Sequence, residues 1–212
     1  LICKIIDTPT GNDYIEMRAK GFEEISPQRK YHGISTQIIA QIKNVRVPFN
    51  VDIGVGDIIV PRAEERTINT QLPNFEATII KTYSIESTIA EKFDAILQRF
   101  ELTGRMKDFY DIYYLSRTFD FEGEKLQAAI FETLQRRGTP YDRDSFKRVV
   151  ALADDEDMQK RWKFFLKTIK DNTLEFSFVI TEIQTFLEPV FDVIVNEKEW
   201  QNIWDTKVKG WR

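Results

Sequence analysis

YSIESTIAEKFDAILQRFELTGRMKDFYDIYYLSR, residues 83–117, holds two helical patterns, and each carries a charge where an amphipathic helix would place an apolar side chain. In the first, Ile85, Ile89, Lys92 and Ile96 step by four, three and four, along one side of a helix. Phe93, Leu97 and Phe100 widen that side into a core-facing stripe, with Lys92 and Arg99 at its margin. In the second, Asp108 shares a face with Ile112 and Leu115, and Asp111 sits at the edge of that face. A lysine and aspartates turned toward packed surface cost free energy unless something there uses them. Plainer readings stand beside this one. Lys92 can snorkel, laying its methylenes on the core and its ammonium in water. Asp108 falls in the first turn of its helix, where a carboxylate favours the free N–H groups, and it can pair with Arg105.

Upstream, residues 1–82 read as β-rich. LICKII at 1–6 is a short apolar, strand-like run closed by the turn residues Asp7, Pro9, Gly11 and Asn12. Tyr14 to Ile25 reads as extended chain broken at Gly21. Gly33–Ile42 and Arg46–Val55, with Lys43-Asn44-Val45 between them, predict an antiparallel hairpin. In its second strand Val51 and Ile53 point to one face while Asn50 and Asp52 point to the other. Asp52 alone reads as an ordinary surface carboxylate. The GVGD at 54–57 brings Gly54 and Gly56, flexible enough to approach a phosphate, but without the spacing of a dinucleotide or P-loop fingerprint. Residues 61–73 read as a loop, and Glu76–Tyr83 as one more extended segment.

From Ser84, a good N-cap, the pattern is helical. Thr103-Gly104 separates the first helix from one over Lys107–Arg117. Further helices are predicted from Glu124 to a turn at Gly138-Thr139-Pro140, from near Asp144, over Met158–Lys170, over Leu174–Val195 and over Glu197–Val208. Trp200 and Trp204, spaced i and i+4, and Trp211 read as packing anchors. The acidic run Asp154-Asp155-Glu156-Asp157 reads as a solvated first turn rather than a cation site.

Composition bounds the function. With 212 residues, 42% hydrophobic and 30% charged, the chain can bury a substantial core. Its 16 Phe, 7 Tyr and 4 Trp argue against disorder. A net charge of −4 carries no bulk signal for nucleic acid, so such contact must come from a local patch. Cys3 and His32 are the only residues of their types, which excludes a disulfide framework within the chain and a structural zinc site of Cys and His ligands. No apolar run approaches the ~20 residues of a membrane span. One cysteine suits a reducing cytoplasm.

Three stretches, FNVDIGVGD at 49–57, STIAEKFDAI at 87–96 and RMKDFYDIYYL at 105–115, together resemble the AbiEii/AbiGii-type toxins. These are the toxin halves of bacterial type IV toxin–antitoxin and abortive-infection systems of phage defence. YHG at 31–33, ahead of a strand, fits the same pattern. The likeness covers roughly residues 1–117, and the helical remainder matches in character only. It implies an α+β fold: a partial polymerase-β-like nucleotidyltransferase sheet over residues 1–82, then a helical domain over 83–212. It also implies Mg²⁺ and a nucleoside triphosphate (NTP) in the cleft. A nucleotidyl group passes to an acceptor, in some related toxins a tRNA, and a separately encoded antitoxin neutralises the toxin in the bacterial cytoplasm. On the matching positions Asp52 is the strand-borne metal ligand and Lys92 contacts the triphosphate. Asp108, with Lys107 and Asp111 beside it, orients Lys92 or the acceptor.

The chain departs from that pattern in one respect. The family places a Gly-Ser or Gly-Gly turn and an Asp-x-Asp pair near its N-terminus, and those aspartates are its main metal ligands. Here the first residue is Leu1, and the opening run resembles the family's sequence just downstream of that motif. The expectation is a piece missing its N-terminal part, inactive by itself although its parent is an enzyme. The alternative is a non-catalytic module of the same fold that binds nucleic acid or a protein partner. A purely helical scaffold leaves Asp52, Lys92 and Asp108 unexplained.

Overall fold

The alternating stretches upstream pair as expected. In the computed structural model, which describes residues 1–8, 14–25, 33–54, 59–71 and 75–212, they form an antiparallel sheet. Its order is β1 (Glu16–Ile25), β2 (Gly33–Ile42), β3 (Val45–Gly54). The break at Gly21 is a shift of register between Ala19 and Gly21. Ile42 faces Val45 across the Lys43-Asn44 turn, and Lys43 takes the positive φ of 53° that such a tight turn demands. Along β3, Val51 and Ile53 are half-buried while Asp52 is exposed, as the alternation requires. The opening run LICKII is a correction: it forms a short helix, α1 (Ile2–Ile6), and not a strand. An apolar run this short carries no period that distinguishes the two, and here the Asp7 N–H closes a helical turn on the Cys3 carbonyl.

By their internal contacts the residues group into two compact units, Leu1–Asp57 and Ile58–Arg212. The second unit takes in a hairpin of β4 (Glu64–Ile68) and β5 (Thr78–Thr82). The stretch 61–73, expected to be loop throughout, therefore contains a strand. Every residue of β4 is exposed, so no apolar alternation marks it in the sequence.

The helices then run as α2 (Ile85–Arg99), a 3₁₀ turn (Phe100–Leu102), α3 (Met106–Thr118), α4 (Gly123–Arg137), α5 (Ser145–Ala151), α6 (Glu156–Ile169) and α7 (Phe176–Val195). Gly138 ends α4 in the left-handed conformation, φ 62°, and supplies the turn expected there. Asp155 caps α6 through the Met158 N–H at 2.8 Å with Glu156 and Asp157 in the first turn, so the acidic run is a capped helix start. Among the described residues, no helix is long and apolar enough to cross a membrane.

Helix α7 is the hub of the core. Phe176, Val179, Ile180, Ile183, Phe186, Leu187, Val190, Phe191 and Ile194 are all buried along it. Phe93 of α2 meets Phe191 edge to face at 5.7 Å, and Phe109 of α3 meets Phe176 at 5.3 Å. These contacts hold the two helices of residues 83–117 against one support.

The predicted last helix is absent. Residues 203–211 instead form a hairpin, β7 (Ile203–Asp205) and β8 (Gly210–Trp211), added to the two-residue strand β6 (Phe121–Glu122). The Asp205 carboxylate accepts from the N–H groups of Lys207 and Val208, at 2.8 and 3.2 Å, and so turns the chain. Trp204 pairs across the strands with Trp211, ring centroids 5.6 Å apart. The tryptophans are anchors, as expected, but through β-pairing: Trp204 Nε1 donates to Ser116 O and Trp211 Nε1 to Phe186 O.

Candidate active site

Lys92 owes its position to the start of α2. Ser84 caps the helix by accepting from the Ser87 N–H at 3.0 Å, and its own hydroxyl donates to Val60 O at 2.6 Å. Ser87 Oγ accepts from the Val60 N–H at 2.8 Å, so the first turn is bonded to the chain on both sides. Ile89, Phe93, Ile96 and Leu97 are buried, and Lys92 stands at the margin of their stripe with 18% of its side chain exposed. The connection to α3 is pinned as well. Arg161 of α6 donates to the carbonyls of Glu101 and Thr103, at 2.9 and 2.8 Å.

Helix α3 brings the carboxylates to Lys92. The Lys92 ammonium lies 2.5 Å from Asp111 Oδ2 and 3.4 Å from Asp108 Oδ1. Lys107, one turn before Asp111, shares the same Oδ2 at 2.6 Å. Arg105 Nε stands 2.7 Å from Asp108 Oδ2. That oxygen is buried and receives no well-directed hydrogen bond, so Arg105 neutralises its charge without satisfying its lone pairs. Asp108 is 3% exposed and gains further from the free N–H groups of the helix start. The snorkelling and helix-start readings each hold in part, but they meet: the three groups form one charge network.

Beside this network lies a cleft of about 700 Å³, in the size range of small-molecule sites. Lys92 and residues 104–108 line it on one side; Lys160, Arg161, Phe164, Phe165 and Thr168 of α6 line it on the other. Five of these side chains are cationic (Lys92, Arg105, Lys107, Lys160, Arg161), against the single carboxylate of Asp108. In a chain of net charge −4, this is a local reversal of sign.

The structure thus brings Lys92, Lys107, Asp108 and Asp111 together. Asp52 and Gly54 belong to the other unit, on β3, and Gly56 lies outside the described residues, as does His32. Asp52 accepts from its cross-strand partner Ser35, Oγ to Oδ1 at 2.5 Å. The α6 wall was not legible as part of a site, although a phenylalanine two residues from the buried Trp162, on the opposite side of the helix, was the available signal.

A second charged cluster holds α2 from behind. Asp94 is fully buried and accepts from Thr139 Oγ1, from Gln98 Nε2 at 2.9 Å and from Arg137 Nη1 at 3.1 Å, while Arg137 also pairs with Glu91. Burial pushes the Asp94 carboxyl above the usual aspartate range, against the opposing pull of the Thr139 hydrogen bond and the Arg137 charge. The cluster fastens α2 to the end of α4, two residues from Lys92.

The family model for the nucleotidyl transferase AbiEii toxin, type IV toxin–antitoxin system, matches residues 1–197. No curated protein and no solved structure matches the chain. The match spans nearly the whole sequence, including the strand of Asp52 and the Lys92–Asp108–Asp111 network, and the chain therefore belongs to the AbiEii nucleotidyl transferase toxin family of type IV toxin–antitoxin systems.

Proposed function

We propose that the cation-lined cleft binds the triphosphate of an NTP, and that the protein transfers the nucleotidyl group to an RNA acceptor, tRNA being the first candidate. The observation that carries this reading is the set of five cations around one cleft with Lys92 in its wall. Charge-assisted hydrogen bonds from lysine and arginine to phosphate oxygens are the strong ones, and a polyanion needs several. Lys107, 71% exposed, exchanges Asp111 for a phosphate oxygen. Lys92 stays aimed at the triphosphate because Asp108 and Asp111 hold its ammonium from behind. The acceptor oxygen then displaces pyrophosphate from the α-phosphorus. A polymerase-β-like arrangement of the β1–β3 sheet and neutralisation in the bacterial cytoplasm by a cognate antitoxin complete the reading.

Transferases of this kind use a divalent metal, and Asp52 is proposed as one ligand to Mg²⁺. The donor set is incomplete, however. Mg²⁺ demands near-octahedral oxygen ligation, and among the described residues no three His, Cys, Asp or Glu side chains gather.

The test is transfer itself. Incubating full-length protein with each α-labelled NTP, Mg²⁺ and total tRNA should leave label on RNA, and Lys92→Met should abolish it. Label on no acceptor, RNA or protein, with any of the four nucleotides refutes the reading.

A further inference from the structure

The α6 wall of the cleft differs in chemistry from the wall formed by Lys92 and the start of α3. Lys160, Phe164 and Thr168 step by four along one side of the helix, facing the cleft. The opposite side, Met158, Trp162 and Leu166, is buried in the core. Two adjacent phenylalanines therefore have different fates. Phe165 packs against Tyr110 at 5.7 Å and Trp162 at 5.4 Å. Phe164 is 71% exposed, and among the described residues no other ring contacts it. An aromatic face left open in a cleft that otherwise carries five cations has an obvious complement: a planar base joined to phosphate.

We infer that Phe164 is the platform on which the base of the bound NTP stacks, with Lys160 beside it. The inference rests on the reading of the cleft as a triphosphate site and adds its base subsite. The two cations of this wall have different duties. Arg161 is committed to the carbonyls of Glu101 and Thr103 and sets the distance between the walls. Lys160 holds only surface pairs, with Asp157 at 3.1 Å and Glu156 at 3.9 Å, all of them at least 70% exposed. Such pairs are weak and exchange readily for a ligand oxygen. Thr168 Oγ1 donates to Phe165 O, which leaves its lone pairs to accept from a base N–H at the end of the platform. Stacking on a phenyl face is tolerant of base identity, so Phe164 contributes to the affinity of all four nucleotides.

The experiment compares ligands that do and do not carry a base. Binding of ATP, GTP, CTP, UTP, inorganic tripolyphosphate and a 5′-hydroxyl RNA oligonucleotide is measured on full-length wild type, Phe164→Ala, Phe164→Trp and Lys92→Met. Phe164→Ala should weaken every NTP by about tenfold and leave tripolyphosphate within about twofold, while Phe164→Trp retains the wild-type affinity. Lys92→Met should weaken both ligand types. Because Phe164 is exposed, its replacement leaves the core untouched, and circular dichroism checks this. NTP binding unchanged in Phe164→Ala overturns the inference while leaving the triphosphate site standing. It is equally overturned if Phe164→Ala weakens only a 5′-hydroxyl RNA oligonucleotide, since the stacked base then belongs to the acceptor. A wild-type protein that binds no NTP overturns the cleft reading and this inference together.

Discussion

Lys92→Met separates the structural and functional duties of the charge network. Methionine preserves an unbranched stem, so the change isolates the ammonium. That ammonium sits 2.5 Å from Asp111 and 3.4 Å from Asp108, with 18%, 18% and 3% of the three side chains exposed. Breaking a fully buried pair costs about 3–5 kcal/mol, and an exposed pair is worth about 1 kcal/mol or less. Here exposure is partial, and Lys107 and Arg105 remain to neutralise the two carboxylates. The expected loss of stability is therefore about 1–2 kcal/mol. Binding should suffer more. A charge-assisted hydrogen bond to phosphate contributes about 1.5–3 kcal/mol, which converts to roughly 10- to 150-fold in affinity. Urea denaturation reads the first number and NTP titration of the folded variant reads the second. A folded Lys92→Met protein that binds NTP as tightly as wild type would refute the argument, because Lys92 would then be a structural lysine and nothing more.

Two further outcomes concern the scaffold. Gly123 opens α4 with its N–H bonded to Asn202 O at 2.8 Å, and a Cβ there would run into the Trp200 ring and lie 2.6 Å from Asn202 O. Gly123→Ala should thus destabilise by about 1–3 kcal/mol despite the better helix propensity of alanine, as read from the urea midpoint; a stabilised variant would mean that the β6–β8 sheet yields easily. Asp94, raised by burial above its ordinary 3.8, binds its proton more tightly folded than unfolded. Its contribution is fully present below 3.8 and is lost as pH rises through the folded value, so wild type should gain on Asp94→Asn as pH falls across that window. Urea midpoints whose difference is the same at every pH would contradict the assignment.

Where the sequence was legible, one period ran long enough to decide. Helices α2, α3, α4, α6 and α7 each carry a buried stripe over several turns, with Ser84 and Gly138 marking ends that the structure confirms. The misread segments lack such a stripe for three different reasons. LICKII is too short to show a period, and β4 is exposed at every position. The i, i+4 spacing of Trp200 and Trp204 imitates a helix, while the actual partners, Trp204 and Trp211, are seven apart across a turn that Asp205 makes.

The site divides along the same line. Lys92, Asp108 and Asp111 could be seen because each violates a pattern of its own helix, and a local rule suffices to register a local violation. Phe164 violates little, since single exposed apolar residues are common on protein surfaces. Asp94 escaped notice because its partners Arg137 and Thr139 lie 43 and 45 residues further on, and no local pattern joins them. A charge inside an apolar stripe therefore points to a candidate site, but what completes that candidate is supplied by distant elements. Within the motif itself Lys107 and Arg105 anchor the carboxylates, and the opposite wall, with its open aromatic face, comes from α6. On this reading the motif fixes the chemistry of the phosphates, and the helix outside the motif region determines how well a nucleotide, rather than a bare polyphosphate, is held.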